Sequence, residues 1–286
     1  MRISHHLPWQ LNLAAKVILS RMPVSYDIWK RVGFFNLGAM ERPEYALLVF
    51  RRHFDFAGMS KRPKGFTCLE LGPGDSLSSA LIGPAFGASQ TYMVDVGSFA
   101  NTDPATYHEL AVYLRENALP VADISKVRTC EQLLAVCSAK YLTNGLASLR
   151  QIPSASVDFV FSHATLQQVR RAEFLSVMKE LRRIQRPGGI GSHSVSMRDL
   201  IGGAANDLRF SARAWESPLM AQAGFYTNRI RYPEMLALFR QAGFEPQVIH
   251  VGRWDKLPIP RQKVAQEFCK FSDDDLLVHE WDVLLR

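Results

Sequence analysis

A short apolar run, residues 66–71 with the sequence FTCLEL, leads directly into Gly72-Pro73-Gly74. An apolar run of this length that stops at turn-forming residues is typical of a strand buried on both faces of a sheet. The two glycines remove side chains that keep a ligand away from the backbone, and a helical pattern over residues 76–86 follows. This order of strand, glycine turn and helix predicts a parallel α/β sheet with a ligand site at the carboxyl end of the strand.

The rest of the chain continues the alternation of short strands and helices. Pro63 and Gly65 separate it from helical patterns over residues 9–58. Further strand patterns cover residues 91–95, 157–162, 190–195, 246–251 and 280–285, and helical patterns cover residues 103–117, 130–139, 171–184 and 233–242. Such alternation predicts a sheet with helices on both faces. We therefore divide the chain into an N-terminal helical segment, residues 1–62, and a sheet domain, residues 63–286.

The predicted second strand ends on an acid, Asp95, which lies 21 positions after Gly74. A carboxylate at this place can accept hydrogen bonds from both ribose hydroxyls of a nucleoside. A dinucleotide site carries a third glycine where this chain has Leu77, and a phosphate-binding loop carries a Lys-Ser or Lys-Thr pair that this turn lacks. The pattern therefore disfavours a nicotinamide-dependent oxidoreductase and a nucleotide hydrolase.

Glu70, Gly72, Gly74 and Asp95 together resemble the cofactor half of the class I S-adenosylmethionine (SAM)-dependent methyltransferases, in the small-molecule branch of the methyltransferase type 11 kind. Similar stretches follow at residues 154–169, 180–189 and 231–244. The resemblance implies a Rossmann-like three-layer α/β sandwich with a mostly parallel seven-stranded sheet, N-terminal helices and a lid insertion after the fifth strand. It also implies SAM as the cofactor and methyl transfer, EC 2.1.1.-, as the reaction.

The same resemblance assigns the cofactor-binding residues. It implies that Glu70 and the glycine turn hold the amino acid end of SAM and that Asp95 holds the ribose. Many relatives have an acid near the adenine that this chain lacks, so we expect Asn144 or Leu146 to make the adenine contact. The full predicted set is Glu70, Gly72, Pro73, Gly74, Asp95, Val96, Asn144, Gly145, Leu146, Ser162 and His163.

Methyl transfer needs a general base only if the acceptor is a hydroxyl or a protonated amine. Gln168 stands where many relatives have a histidine, so no base is expected at that position. His163 directly follows the strand predicted over residues 157–162 and is the candidate catalytic residue. The alternative is a histidine with a structural role. The missing histidine also leaves open a SAM-fold binding or scaffold protein without catalysis.

Residues 194–230 form a longer connection than is usual between a strand and a helix. They mix polar and aromatic side chains, and we predict a lid over the acceptor rather than a subdomain that only packs. The basic side chains favour a small or sugar-like, anionic acceptor. The predicted substrate residues are Asn206, Arg209, Tyr226 and Arg229.

The formal net charge of +7 fits an anionic partner and equally a merely basic protein, because the charge is spread along the chain. An RNA methyltransferase is an alternative, but no aromatic-rich basic tract favours a nucleic acid partner. None of the four cysteines forms a CxxC pair, so no metal site is predicted. Because no apolar run approaches the ~20 residues of a membrane-spanning helix, and no secretory signal pattern is seen, we expect a cytoplasmic protein.

The N-terminal segment combines aromatic and basic side chains, which allows two interpretations. An amphipathic helix lying on a membrane surface has this composition. A helix folded over the cofactor cleft has it too, and we favour that interpretation over peripheral membrane contact. The side chains concerned are Trp9, Lys16, Arg21, Trp29, Lys30, Arg31, Phe34 and Phe35.

Overall fold

The computed structural model describes residues 8–21 and 39–286, and its strands pair into one seven-stranded sheet. The strands are β1 (Phe66–Leu71), β2 (Ala88–Val94), β3 (Ala139–Leu142), β4 (Val157–His163), β5 (Gln185–Ser196), β6 (Pro246–Arg253) and β7 (Val278–Leu285). Their order is β3-β2-β1-β4-β5-β7-β6. The strands β1 to β5 are parallel, and β7 runs antiparallel to both of its neighbours.

Helices cover both faces of this sheet. They are α1 (Trp9–Leu19), α2 (Pro43–Phe56), α3 (Ser79–Ala85), α4 (Pro104–Glu116), α5 (Cys130–Val136), α6 (Leu146–Gln151), α7 (Phe174–Ile184), α8 (Ala212–Trp215), α9 (Pro218–Ala221), α10 (Tyr232–Gln241) and α11 (Asp273–Leu277). Helices α2 to α5 share one apolar core with the sheet, and α6, α7 and α10 share a second core on the opposite face. The predicted Rossmann-like three-layer sandwich is thereby confirmed.

The direction of the chain across the sheet reverses between β1 and β4. From β1 the chain steps outward to β2 and β3, and it then returns to β4 on the other side of β1. Glu70 of β1 lies in register with Phe161 of β4, so the carboxyl ends of these two strands are neighbours. Ligands of open parallel sheets bind at such a reversal point, and the glycine turn lies on it.

Several predicted element boundaries were wrong. Residues 130–139 were predicted as one helix, but α5 ends at Val136 and β3 begins at Ala139. A four-residue strand is too short to show a period of its own. Helix α3 begins at Ser79 and not at residue 76, so Asp75 and Ser76 do not cap it. Asp103 does cap α4, because its side chain accepts the Ala105 backbone N–H.

Helix α2 belongs to the core of the sheet, although it precedes the predicted domain boundary at residue 62. Phe50 and Phe54 lie on its buried side. The Phe54 ring lies 4.9 Å from the ring of Phe86 and 6.2 Å from that of Phe159 in β4. The division of the chain into residues 1–62 and 63–286 stays a prediction.

This packing makes a stability test of α2 possible. We expect Phe54→Leu to lower the free energy of unfolding by about 1–2 kcal/mol, because leucine fills less of the space between the aromatic rings. Leu48→Ala on the same helix is the control, since Leu48 is 63% exposed; its effect should stay within about 0.5 kcal/mol. Urea unfolding of both variants measures the difference, and equal losses would contradict the described packing of α2.

The connection between β5 and α10 is a packed insertion. Strand β5 continues to Ser196, so the insertion begins at residue 197 and not at 194. One side of it packs against α1, where Asn12 and Lys16 donate hydrogen bonds to the carbonyls of Ile201 and Leu200. Its other side packs against apolar residues of the segment between β6 and β7.

Helix α1 therefore docks on the insertion, and its predicted place over the cofactor cleft stays a prediction. The aromatic and basic residues predicted for the same role at Trp29, Lys30, Arg31, Phe34 and Phe35 lie outside the described residues. Within residues 8–21 and 39–286, no helix has the length and hydropathy to cross a membrane.

Candidate functional site

Backbone hydrogen bonds hold the loops after β1, β2 and β3 together. The Gly72 N–H donates to the Val94 carbonyl over 2.8 Å, and the Asp95 N–H donates to the Leu142 carbonyl over 2.9 Å. The Gly145 N–H donates to the carbonyl of Asp95 over 2.8 Å. Three segments that are far apart in the sequence thus form one rim at the carboxyl edge of the sheet.

Gly72 lets the turn after β1 pass close to the loop after β4. Its φ of +75° lies in the left-handed region, where side chains cost energy. A Cβ atom at this position would lie 2.3 Å from Cγ2 of Thr165, well inside contact distance. The turn therefore requires glycine at this position for both its backbone conformation and its space.

Asp95 faces the glycine turn from the end of β2. Its carboxylate accepts the Gly74 N–H over 3.2 Å and the N–H of Val96 over 2.7 Å. Burial raises the pKa of Asp95 to about 6, although these two hydrogen bonds act to lower it. The side chain is thus fixed at the rim and is ionised at neutral pH.

Glu70 lies at the end of β1, 2% exposed. Its Oε2 atom has no hydrogen-bond partner among the described residues. Burial raises the pKa of Glu70 to about 7. The Ser79 hydroxyl acts to lower this pKa, and the negative charge of Asp95 acts to raise it further. A buried carboxylate without a full set of partners is costly in a folded protein, so this position indicates a ligand with a positive charge or a hydrogen-bond donor.

An apolar side chain lies on the same rim. Val96 is 75% exposed directly after Asp95. Gly145 lies beside it, and a Cβ atom there would approach Cγ1 of Val96 to 3.1 Å. Asn144 is tied to α6 by its N–H bond to the Ser148 hydroxyl, and the partly buried Leu146 begins that helix. An exposed apolar side chain beside a polar rim suits the binding of a ligand with a flat apolar ring.

Ser162 differs from the other predicted cofactor residues. It is fully buried, and its hydroxyl lies 2.8 Å from Nδ1 of His193 in β5. Burial lowers the pKa of His193 to about 3, so this histidine is neutral. The structure gives Ser162 a partner inside the sheet, and its contact with a cofactor stays a prediction.

His163 lies at the end of β4 in a chain of polar side chains. Its Nε2 atom lies 3.2 Å from the Tyr45 hydroxyl, and its Nδ1 atom lies 3.3 Å from Nε2 of His53. Nδ1 of His53 lies 2.8 Å from the hydroxyl of Ser192 in β5. The chain connects α2 with β4 and β5, and only His163 was predicted from the sequence.

A pocket of about 170 Å³ opens beside His163. Arg52 of α2 reaches into it and pairs with Asp282 of β7 over 2.5 Å. Asp282 also accepts a hydrogen bond from the Ser194 hydroxyl. The lining residues are Arg52, His163, Ala164, Ser194, Val195, Ser196, Glu280, Trp281 and Asp282.

Among the lining residues, only His163 and the three residues inside the predicted insertion, Ser194, Val195 and Ser196, were singled out from the sequence. The others were not predicted. One signal was available on α2: His53 falls between Phe50 and Phe54 on the side of the helix that carries apolar residues. A histidine on the apolar side of a helix must find a partner when it is buried. No comparable signal marks Asp282, because a strand acid can equally face solvent.

The predicted substrate residues are engaged inside the insertion. Arg229 is buried between the rings of Trp215 and Phe268, at 5.3 and 5.0 Å, and donates to the Asp207 and Phe210 carbonyls. Tyr226 donates to Glu216, Asn206 binds Asp199, and Arg209 lies over Trp9 and donates to Asn206. The structure does not bring these four side chains to the glycine turn, and their contact with an acceptor stays a prediction.

The strand order, the antiparallel pairing of β7 and the glycine turn facing an acid define a nucleoside-binding domain of the Rossmann-like type. Residues 69–192, from β1 into β5, match the model of the family described as "Methyltransferase domain". These matched residues carry a methyltransferase domain of the class I SAM-dependent type, with SAM as the cofactor. Helices α1 and α2 lie outside the matched residues.

Solved structures similar to this chain include SAM-dependent methyltransferases from two organisms. The Mesorhizobium loti protein is 17% identical, with 88% of this chain and 100% of that chain covered and a TM-score of 0.45. The Archaeoglobus fulgidus protein is 10% identical, with 85% and 94% covered and a TM-score of 0.44. Haemonchus contortus Phospholethanolamine N-methyltransferase 2, in complex with phosphomonomethylethanolamine and S-adenosylhomocysteine, is 14% identical, with 82% and 52% covered and a TM-score of 0.42. None of the curated proteins compared with the chain matches it.

Proposed function

We propose that this enzyme transfers the methyl group of SAM to a small, polar, sugar-like acceptor that binds in the pocket beside His163. The observation that carries the proposal is the position of that pocket. It lies at the ends of β4 and β5, and β4 is the direct neighbour of β1, which carries the glycine turn. A cofactor over β1 and β2 and an acceptor over β4 and β5 then meet at the reversal point of the sheet.

The residues at the rim fit SAM. The unpartnered Oε2 of Glu70 suits the ammonium group of the amino acid end, and Asp95 suits the ribose hydroxyls. In the proposal, the half-buried Gly72 offers its backbone to the amino acid end of the cofactor. Val96 and the backbone at residues 144–146 suit the apolar adenine. In this proposal, Ser162 supports the rim from within the sheet.

Bound SAM supplies an activated methyl group on a positively charged sulfur. The chain's own residues have to align the acceptor with that group and exclude water from it. In the proposal His163 and Arg52 hold the acceptor on the side of α2, while Ser194 and Ser196 offer hydroxyl groups for hydrogen bonds.

The charges around the pocket favour an uncharged polar acceptor over an anion. Arg52 is already paired with Asp282, and Glu280 adds a second carboxylate to the lining. An anion would have to compete with Asp282 for the guanidinium group. Hydroxyl groups of a sugar-like molecule can instead bind both carboxylates and the two serines, so we prefer this acceptor to the anionic one that the net charge suggests.

Methyl-labelled SAM tests the proposed acceptor class. We expect the purified enzyme to transfer label to a compound in the low-mass fraction of a metabolite extract, and we expect no transfer to total RNA. A variant with Asp95→Ala is the control for cofactor-dependent transfer. Label in the RNA fraction would instead support an RNA methyltransferase, and tight SAM binding without transfer to any fraction would support a non-catalytic scaffold.

A further inference from the structure

We propose that Tyr45, His163 and His53 form a proton relay that serves the acceptor pocket, with two of its three members supplied by helix α2. The inference rests on the proposed function, because it concerns the same pocket. The contacts that carry it are the 3.2 Å distance from the Tyr45 hydroxyl to Nε2 of His163 and the 3.3 Å distance from Nδ1 of His163 to Nε2 of His53. Helix α2 thereby becomes part of the methyl-transfer site, although it lies outside the matched family domain.

One proton arrangement makes every member of the chain a donor to the next. The Tyr45 hydroxyl donates to Nε2 of His163, the Nδ1–H of His163 donates to Nε2 of His53, and the Nδ1–H of His53 donates to the Ser192 hydroxyl. Each neutral imidazole then uses one nitrogen as donor and the other as acceptor. This arrangement leaves the lone pair of His163 Nε2 directed at Tyr45, where a proton can arrive.

The surroundings keep both histidines neutral before a proton arrives. The groups that face them are Arg52 on α2, His193 on β5, and Asp282 and Glu280 on β7. Burial and then Arg52 lower the pKa of His163, while Asp282 raises it. Burial lowers the pKa of His53 well below its usual value, and His163, His193 and Arg52 lower it further.

An arriving proton therefore stays on His163. His53 is completely buried, whereas His163 lies beside Asp282 at the pocket. In its protonated form His163 still donates from Nδ1 to His53, so that bond holds the ring in place in both states. His53 is then a positioning residue. The half-buried Tyr45 lies beside His163, which lines the pocket, and in the proposal its hydroxyl receives the proton of the acceptor.

The relay defines the acceptor as a molecule that loses a proton when it is methylated, that is, a hydroxyl or a protonated amine. The acceptor oxygen or nitrogen forms a bond to the methyl carbon, and the carbon–sulfur bond breaks with its electron pair left on the sulfur. The proton of the acceptor goes to the Tyr45 oxygen. Tyr45 gives its own proton to Nε2 of His163, which later releases it to water.

Nitrogen NMR of the ¹⁵N-labelled protein with S-adenosylhomocysteine tests the chain without any acceptor. We expect neutral His163 at pH 7.5 with its proton on Nδ1 and a bare Nε2. His53→Leu should abolish this single tautomer, whereas His53→Gln should keep it, because the glutamine oxygen can accept the Nδ1–H. A proton on Nε2 in the wild type, or an unchanged tautomer in His53→Leu, overturns the relay.

Transfer of labelled methyl to the low-mass metabolite fraction tests the function of the relay. We expect Tyr45→Phe to bind SAM within about 2-fold of the wild type and to transfer methyl about 100-fold more slowly at pH 7, the usual size of a general-base effect. The deficit should shrink as the pH rises, because hydroxide ion can then take the proton of the acceptor in place of Tyr45. His53→Leu should also be slow, and His53→Gln should recover most of the rate.

The outcomes separate the relay from the proposed function. Wild-type rates in Tyr45→Phe, or a deficit that is constant with pH, overturn the relay and leave small-molecule methyl transfer intact. A folded wild-type enzyme that binds SAM but labels no low-mass compound overturns the proposed function itself, and the methyl-transfer role of the relay falls with it.

Discussion

The Asp95→Ala variant is expected to bind SAM about 100-fold or more weakly than the wild type. In the proposed site, the variant would lose two hydrogen bonds from ribose hydroxyls to an ionised carboxylate, and each such bond contributes roughly 1.5–3 kcal/mol. The same substitution frees the N–H groups of Gly74 and Val96, which Asp95 now holds. The loosened turn adds to the loss, so isothermal titration calorimetry should show weaker binding with a smaller favourable enthalpy.

A surface acid provides the matched control for this experiment. Asp255 is exposed beyond the end of β6, and Asp255→Ala should leave the SAM affinity within about 2-fold. Urea unfolding of both variants shows how far the loss of the bonds from Gly74 and Val96 destabilises the protein itself. Equal SAM affinities of the Asp95→Ala variant and the wild type would contradict the proposed contact between Asp95 and the cofactor.

The pH dependence of SAM binding gives an independent check on the same carboxylate. Its pKa is raised to about 6 by burial in the cofactor-free protein. If the ionised form accepts the ribose hydroxyls, as we propose, bound SAM should lower this pKa, and the affinity should fall as the pH drops through 6. Affinity that is constant between pH 5 and 8 would contradict this role.

The glycine turn after β1 and the acid at the end of β2 were predictable because their signals are local in the sequence. A strand, a glycine turn and an acid at the end of the next strand fall within thirty positions, and backbone geometry makes each of them specific. Gly72 illustrates this, since its positive φ and the nearby Thr165 both exclude a side chain. Strand β3 was missed, because its four residues carry no period that distinguishes them from the end of α5.

The pocket beside His163, where we propose that the acceptor binds, was not predictable in the same way, because tertiary packing creates it. His53 and His163 lie 110 positions apart and meet only when α2 packs across β4 and β5. The arginines of the insertion show a different difficulty, and their contact with an acceptor stays a prediction. Charge alone indicated ligand contacts for Arg229, but the fold places this side chain between two aromatic rings, where it satisfies backbone carbonyls. Composition cannot distinguish these two uses of an arginine.

The Glu70→Gln variant is expected to lose affinity for SAM and to gain stability without it. The substitution keeps the size of the side chain and removes the charge that the cofactor's ammonium group is proposed to meet. A hydrogen bond between charged groups is worth about twice a neutral one, so we expect affinity at pH 8 to fall about 10-fold to 100-fold. Calorimetry at pH 8 measures this loss directly.

The gain in stability follows from the raised pKa of the same carboxyl. The pKa of Glu70 is about 7 in the folded, cofactor-free protein, and its ordinary value, which applies to the unfolded chain, is 4.5. Between pH 4.5 and pH 7 the folded state therefore binds more protons than the unfolded state. The free energy of unfolding therefore decreases as the pH rises from 4.5 to 7, in total by roughly 3 kcal/mol. Glutamine has no such cost, so the variant should be more stable than the wild type by about this amount at pH 8 and equally stable at pH 4.

Urea unfolding at both pH values, with and without S-adenosylhomocysteine, completes the test. The ligand should stabilise the wild type more than the variant, since it supplies the positive charge that ionised Glu70 lacks in the protein alone. Glu267→Gln in the segment between β6 and β7 is the matched control, because this carboxylate lies far from the rim and pairs with Arg229; it should show no gain at pH 8. A Glu70→Gln variant that is less stable than the wild type at pH 8 would show that Glu70 has a partner within the protein and is not held for a ligand. A gain in stability at pH 8 together with a loss of SAM affinity would instead support the proposal that the carboxylate at the end of β1 is held for a cationic ligand.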